Sequence, residues 1–156
     1  MKLVFCDIDG VLNSRVFLAG LPRQQGLVAD GPEWWAEMLD REAVGRLNRL
    51  LAETGASVVV SSSWRLGSTA EALQTILDLG GFEGTVVGVT PHLSEQSRGE
   101  EIQQYLATHP AEAFVILDDD GDMGELLSSL VRTSFDTGLL DEHVERAKEA
   151  LGGSGA

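Results

Sequence analysis

The chain predicts an α/β fold, with a mostly parallel sheet and helices on both faces. Three observations carry this. Short, unbroken apolar runs recur at Leu3-Val4-Phe5-Cys6, Val58-Val59-Val60 and Phe114-Val115-Ile116-Leu117, as buried parallel strands require. Stretches with helical periodicity lie between them. Each apolar run stops abruptly at Asp or Ser, so polar groups gather where the strands end.

The elements follow in order. Leu3–Cys6 reads as the first buried strand, ended by Asp7 and by Asp9-Gly10. Residues 14–39 carry Gly20, Pro22, Gly26, Gly31 and Pro32 and read as a long irregular loop or small insertion, a feature often functional. From Asp40 the pattern turns helical, with Val44, Leu47, Leu50 and Leu51 on one face and Gly55 as the stop. Val58–Val60 is the next strand, ending at Ser61-Ser62-Ser63. Ser68 and Glu71 have the spacing of a capping box, ahead of a helix face of Leu73, Ile76 and Leu77 that stops at Gly80-Gly81. Thr85–Val89 is a weaker strand. Ser97 and Glu100 form a second capping-box spacing before Ile102, Tyr105 and Leu106, and Pro110 ends that helix. Phe114–Leu117 ends at Asp118-Asp119-Asp120. Leu130–Thr133 reads as a last strand, and a closing helix from about Asp141 carries Val144, Ala147 and Leu151. Residues 1–151 thus form a single domain, and 152–156 a flexible tail.

Composition narrows the class of function. The chain has 156 residues, enough for one domain with a sizeable core. It carries 25 Asp+Glu against 11 Lys+Arg, a net charge of −14. That balance argues against broad electrostatic capture of nucleic acid or of an anionic membrane. No apolar run approaches the ~20 residues that span a bilayer. Met1 and Lys2 lead straight into the first strand, so no secretion signal is expected. The single Cys6 cannot form an internal disulfide, and a cytoplasmic location is the expectation.

In open α/β sheets, ligands bind beyond the carboxyl ends of the strands. Those ends deliver Asp7, Asp9, Ser61, Asp118 and Asp119 to one edge. Clustered carboxylates repel unless a cation neutralises them. A hard cation with oxygen ligands, such as Mg²⁺, takes one or two carboxylates and leaves room for waters and a substrate phosphate. Mn²⁺ suits the same ligands. A metal-assisted reaction on a phosphate follows. An EF-hand reading of Asp118, Asp120 and Asp122 fails, because the Gly is misplaced and no Glu closes the loop. His92, His109 and His143 are scattered and read as solvated.

The motifs resemble those of the haloacid dehalogenase (HAD) superfamily of phosphohydrolases. Leu3 to Leu12, around Asp7-Ile8-Asp9-Gly10, resembles its first motif. Val58-Val59-Val60-Ser61 resembles the second, Arg98 at a helix start the third, and Ile116-Leu117-Asp118-Asp119 the fourth. Val60 to Arg65, Arg98 to Ile102 and Leu117 to Met123 together are similar to the HAD domain of Swiss Army knife RNA-repair proteins, over almost the whole chain. The resemblance implies a three-layer Rossmannoid fold with a minimal cap, since the stretch before the first clear helix is too short for a large one.

It also implies roles. Asp7 is the nucleophile that forms an aspartyl-phosphate, and Asp9 the general acid and base. Ser61 holds phosphoryl oxygens, and Arg98 stabilises the transferring group. Asp7, the backbone carbonyl of Asp9, Asp118 and Asp119 hold the metal. Asp120 and Asp122 read as turn residues. A cation at a helix start is electrostatically unfavourable, which speaks for a function at Arg98. Arg65, just after the Ser-rich turn, is the rival for its phosphate-binding role.

The implied activity is a Mg²⁺-dependent phosphomonoesterase acting on nucleic-acid ends, a 3′-phosphate of RNA or DNA foremost. Trp34-Trp35 with Arg15 and Arg23 could hold a single-stranded end, or the two indoles could simply pack over the sheet edge. RNA-repair proteins would be its partners. The alternatives are a small-molecule phosphatase such as a nucleotidase, and a catalytically silent binding module.

Overall fold

A computed structural model of the protein describes residues 1–22 and 26–152. Arg23 and the tail beyond Gly152 lie outside the described residues. Five parallel strands form the central sheet: β1 (Lys2–Cys6), β2 (Ser57–Val60), β3 (Val86–Val89), β4 (Ala113–Asp118) and β5 (Leu130–Arg132), in the spatial order β3-β2-β1-β4-β5. The chain winds outward from β1 to one edge and then returns to build the other half. The winding reverses between β1 and β4, which is where such sheets open a crevice for ligands.

Strand side chains alternate between the two faces. Val4, Cys6, Val58, Val60, Val115 and Leu117 point into the larger core. There they meet Val44, Leu47, Leu50 and Leu51 of α3 (Arg41–Thr54), Leu73 and Leu77 of α4 (Ala70–Leu79), and Val144 and Ala147 of α6 (Asp141–Ala150). Leu3, Phe5, Val59 and Ile116 point the other way, onto Ile102 and Tyr105 of α5 (Arg98–Thr108) and onto Met123. Both faces are covered, which explains strands without apolar/polar alternation.

The helix ends follow local chemistry. The Asp40 carboxylate accepts from the Glu42 N–H at the start of α3, and Gly55, at φ 75°, closes it in the left-handed conformation. Ser97 and Glu100 form the expected capping box at α5, with bonds of 3.2 and 2.9 Å. The cap of α4 sits one residue later than the spacing suggests. Gly67 (φ 72°) makes a turn in which the Ser68 N–H donates to the Arg65 carbonyl, so Thr69 caps the helix and accepts from the Ala72 N–H at 3.1 Å.

Residues 14–39 are less irregular than expected. Ser14 caps a one-turn helix, α1 (Arg15–Ala19), and Pro32 opens another, α2 (Pro32–Ala36), its fixed φ suiting the first helical turn. The Asp40 N–H donates to the Leu12 carbonyl at 2.8 Å, so both ends of this excursion meet at the rim of the sheet. His143 is also buried, against expectation: its Nδ1 accepts from the Leu140 N–H at 2.9 Å, because the third residue of a helix reaches back to the cap. Among the described residues no helix is long and apolar enough to cross a membrane.

Candidate active site

The register of three neighbouring strands builds the site. Cys6 pairs with Val60 on one side and Leu117 on the other, so the next residues, Asp7, Ser61 and Asp118, form one row. Backbone bonds continue the ladder through that row: Asp7 N–H to the Leu117 carbonyl and Ser61 N–H to the Cys6 carbonyl, each at 3.0 Å. Asp7 and Asp118 thus flank the winding reversal.

The carboxylates are crowded. Asp118 is fully buried and Asp7 nearly so. Asp7, Asp118 and Asp119 each place an oxygen within 4.8 Å of the others. Gly10 gives Asp119 room: it sits at φ 85°, and a Cβ there would overlap the Asp119 carboxylate. Burial first, and then the charge of Asp118, push the Asp7 carboxyl up to about 7, against the pull of Arg98. Asp119 is raised by the same two causes in the same order. The thiol of Cys6, beneath the row, is raised by burial and then by Asp7 and Asp118, which leaves it unreactive.

Arg98 answers this charge. Its Nη1 lies 2.8 Å from Asp118 Oδ2 and 3.3 Å from Asp7 Oδ1. Burial lowers its pKa, but Asp118 and Asp7 more than reverse that, so it stays charged. It arrives there as the first residue of α5, whose start is seated on the turn after β4 by a bond from the Gly99 N–H to the Asp122 carbonyl. The Asp120 N–H donates to Asp118 Oδ1 at 2.9 Å and the Asp122 N–H to Asp120 Oδ1 at 3.0 Å, so Asp120 shapes the turn.

Asp9 is held apart from the other acids. Asn13 Nδ2 donates to its Oδ1 at 3.0 Å and Trp64 Nε1 to its Oδ2 at 3.2 Å. Neither donor was evident from the sequence. Only the tight turn after β1 brings Asn13 back, where its Oδ1 also accepts from the Gly10 N–H. Among the described residues, Ser61 Oγ is fully buried with no hydrogen-bond partner, as is Thr90 Oγ1 just past β3. A buried hydroxyl without a partner is costly, and it stands ready for a ligand oxygen.

Arg65 does not face the acids. Its guanidinium donates to the carbonyls of Thr90, Ser61, Ser62 and Pro91 and to Glu101 Oε1, which is 2.9 Å away. Glu101 Oε2 in turn accepts from the Leu93 N–H. The pair ties the loops after β2 and β3 to α5.

The tryptophans of the excursion cluster with Trp64, the residue that donates to Asp9. The Trp35 ring meets Trp64 edge-on at 4.8 Å, and Trp34 meets Trp35 at 5.0 Å. A cavity of about 390 Å³ opens between them and α4. A larger one, of about 770 Å³ between α1, α3 and residues 136–140, shares no lining residue with the acidic cluster.

A parallel sheet wound outward from β1, with paired acids and an arginine at its reversal, defines a HAD-like hydrolase domain. More narrowly, the chain belongs to the family of HAD domains in Swiss Army Knife RNA repair proteins, whose model matches residues 3–144. Comparison with curated proteins and with solved structures gave no match.

Proposed function

We propose that the protein is a Mg²⁺-dependent phosphomonoesterase that works through an aspartyl-phosphate on Asp7, with the phosphorylated end of a nucleic acid as substrate. The observation that carries this is the row of Asp7, Ser61 and Asp118 with one guanidinium nitrogen shared between the two acids. An Asp7 oxygen attacks phosphorus as the bond from phosphorus to the leaving oxygen breaks. Asp9, protonated, gives its proton to that oxygen. Asp9 then takes a proton from water, whose oxygen attacks phosphorus and frees the Asp7 carboxylate and inorganic phosphate. Ser61 Oγ donates to a phosphoryl oxygen, and Arg98 holds charge on the transferring group.

The residues fit a divalent cation. Three carboxylate oxygens converge, and without added positive charge Asp7 is raised to about 7, a poor state for a nucleophile at neutral pH. Asp7, Asp118 and Asp119 would hold Mg²⁺, which supplies positive charge to the carboxylates and the phosphoryl oxygens.

The family's occurrence in RNA repair proteins supports RNA ends as the substrate, and among these we put a 3′-phosphate first. With a net charge of −14, the grip on a polymer would come from a partner repair protein.

Phosphate release with Mg²⁺ from p-nitrophenyl phosphate, nucleotides, and oligonucleotides with 3′- or 5′-phosphate tests this. The expected result is metal-dependent release, fastest from a 3′-phosphorylated end and abolished in Asp7→Asn. Faster release from free nucleotides would make the protein a nucleotidase. No release from a folded, metal-loaded protein would overturn the catalytic reading.

A further inference from the structure

The cavity bounded by Trp35, Trp64 and α4 is unaccounted for by the phosphate chemistry, yet one of its walls touches the site. Trp64 lines the cavity, and its Nε1 donates to Asp9 Oδ2. We infer that this cavity is the seat of the leaving group, and that it takes the nucleobase of the terminal nucleotide.

Four observations converge on that ligand class. The walls are two half-buried indoles, with Pro32 and Ile76 adding apolar surface. Flat, apolar walls of this kind accept the face of an aromatic ring. The volume, about 390 Å³, lies in the range of small-ligand sites. Among its described lining residues the sole charged group is Asp30, so an anionic phosphate is repelled from it and an uncharged ring is not. Finally, the Trp64 indole that lines the cavity also donates to Asp9 Oδ2, so the cavity borders the residue that must protonate the leaving oxygen through one shared side chain. Leu66, at the mouth, is 49% exposed, an apolar rim that a ring would cover.

This inference rests on the phosphatase reading for its catalytic consequence, but not for binding itself, and the two are separable. All three tryptophans of the chain, Trp34, Trp35 and Trp64, lie in this cluster. Tryptophan emission therefore reports on the cavity and the aromatic cluster that walls it. Titration of Asp7→Asn with an unphosphorylated dinucleotide should quench it saturably, and an otherwise identical ligand ending in an abasic sugar should not. Turnover gives the second readout. The wild type should prefer a base-bearing 3′-phosphorylated dinucleotide over the abasic one by roughly tenfold in kcat/KM. Trp35→Leu should reduce that preference to near one. Ala72→Phe, which fills the cavity from the exposed side of α4 without touching the core, should do the same. It keeps the test open if Trp35→Leu does not fold.

Equal quenching by both ligands, or none, would overturn the assignment, as would an equal preference for base-bearing and abasic substrates. A stronger preference for a phosphotyrosine peptide would overturn it in favour of a protein substrate. Absence of phosphate release from every substrate would sink the phosphatase reading, while quenching by the dinucleotide would still uphold the cavity.

Discussion

Two arginines with acidic partners, one buried and one half-buried, do opposite things. Arg65 is enclosed, with its side chain 5% exposed, and its donors meet four backbone carbonyls and Glu101. Arg98 is 22% exposed and reaches its two acids through Nη1 alone among the described contacts. The first pair is complete, and its partner carboxylate is matched on both oxygens. The second is short of positive charge, with three acids against one guanidinium. A saturated ion pair locks loops together. An unsaturated one leaves unmet charge, which is what a cation and a phosphate can use. A charge imbalance, more than the presence of a cation, thus separates the site from the scaffold.

The comparison can be tested from its strongest side. Arg65→Met leaves Glu101 buried without its partner and several carbonyls without donors. It should lower stability by about 3–5 kcal/mol in urea unfolding. Arg65→Met with Glu101→Leu should recover part of that loss. A cost below about 1 kcal/mol would show that Arg65 is no clamp.

Arg98→Met should have the reverse profile, with kcat reduced roughly a hundred- to a thousandfold. Its unfolding midpoint should fall less than that of Arg65→Met, because Asp7 can take up a proton in place of the lost charge. Equal losses of stability in the two variants would erase the distinction.

The smallest effect concerns a buried titratable group far from either pair. Burial, opposed by Glu142 and helped by Arg146, holds the His143 pKa below its ordinary value of 6.5. The folded state therefore favours the neutral ring. The stability this contributes is present above pH 6.5 and lost as the pH falls through the lowered value. His143→Gln keeps an acceptor at the cap and removes the titration. Between pH 7.5 and 5.5 it should lose less stability than the wild type, by the worth of one hydrogen bond, about 0.5–1.5 kcal/mol. Parallel pH profiles would show that His143 does not titrate in this range.

Some of this was legible in the chain and some was not. Asp7, Ser61 and Asp118 were legible because each ends an apolar run, and parallel strands in register carry such ends to one edge. The start of α5, and with it the place of Arg98, was legible from Ser97 and Glu100. The fate of Arg65 was not. A guanidinium two residues past a Ser-rich turn can face a phosphate or fold back, and the carbonyls of Thr90 and Pro91 that decide the matter lie a full strand away in sequence. Trp64 is a similar case, since its bond to Asp9 joins residues 55 positions apart. The buried His143 was missed because a polar residue at the third position of a helix looks solvated until its cap is seen.

The close seating of α5 on the turn after β4 has a consequence for anyone recombining this domain with its relatives. A Cβ at Gly99 would lie 2.5 Å from the Met123 carbonyl carbon. No side chain fits between the two segments, although 23 positions separate Gly99 from Asp122 in the chain. They form one module split across the sequence. A chimera that imports residues 118–123 without the first turn of α5, or the reverse, will separate Arg98 from Asp118. A crossover placed after residue 129, beyond this module, carries the acids and their arginine together.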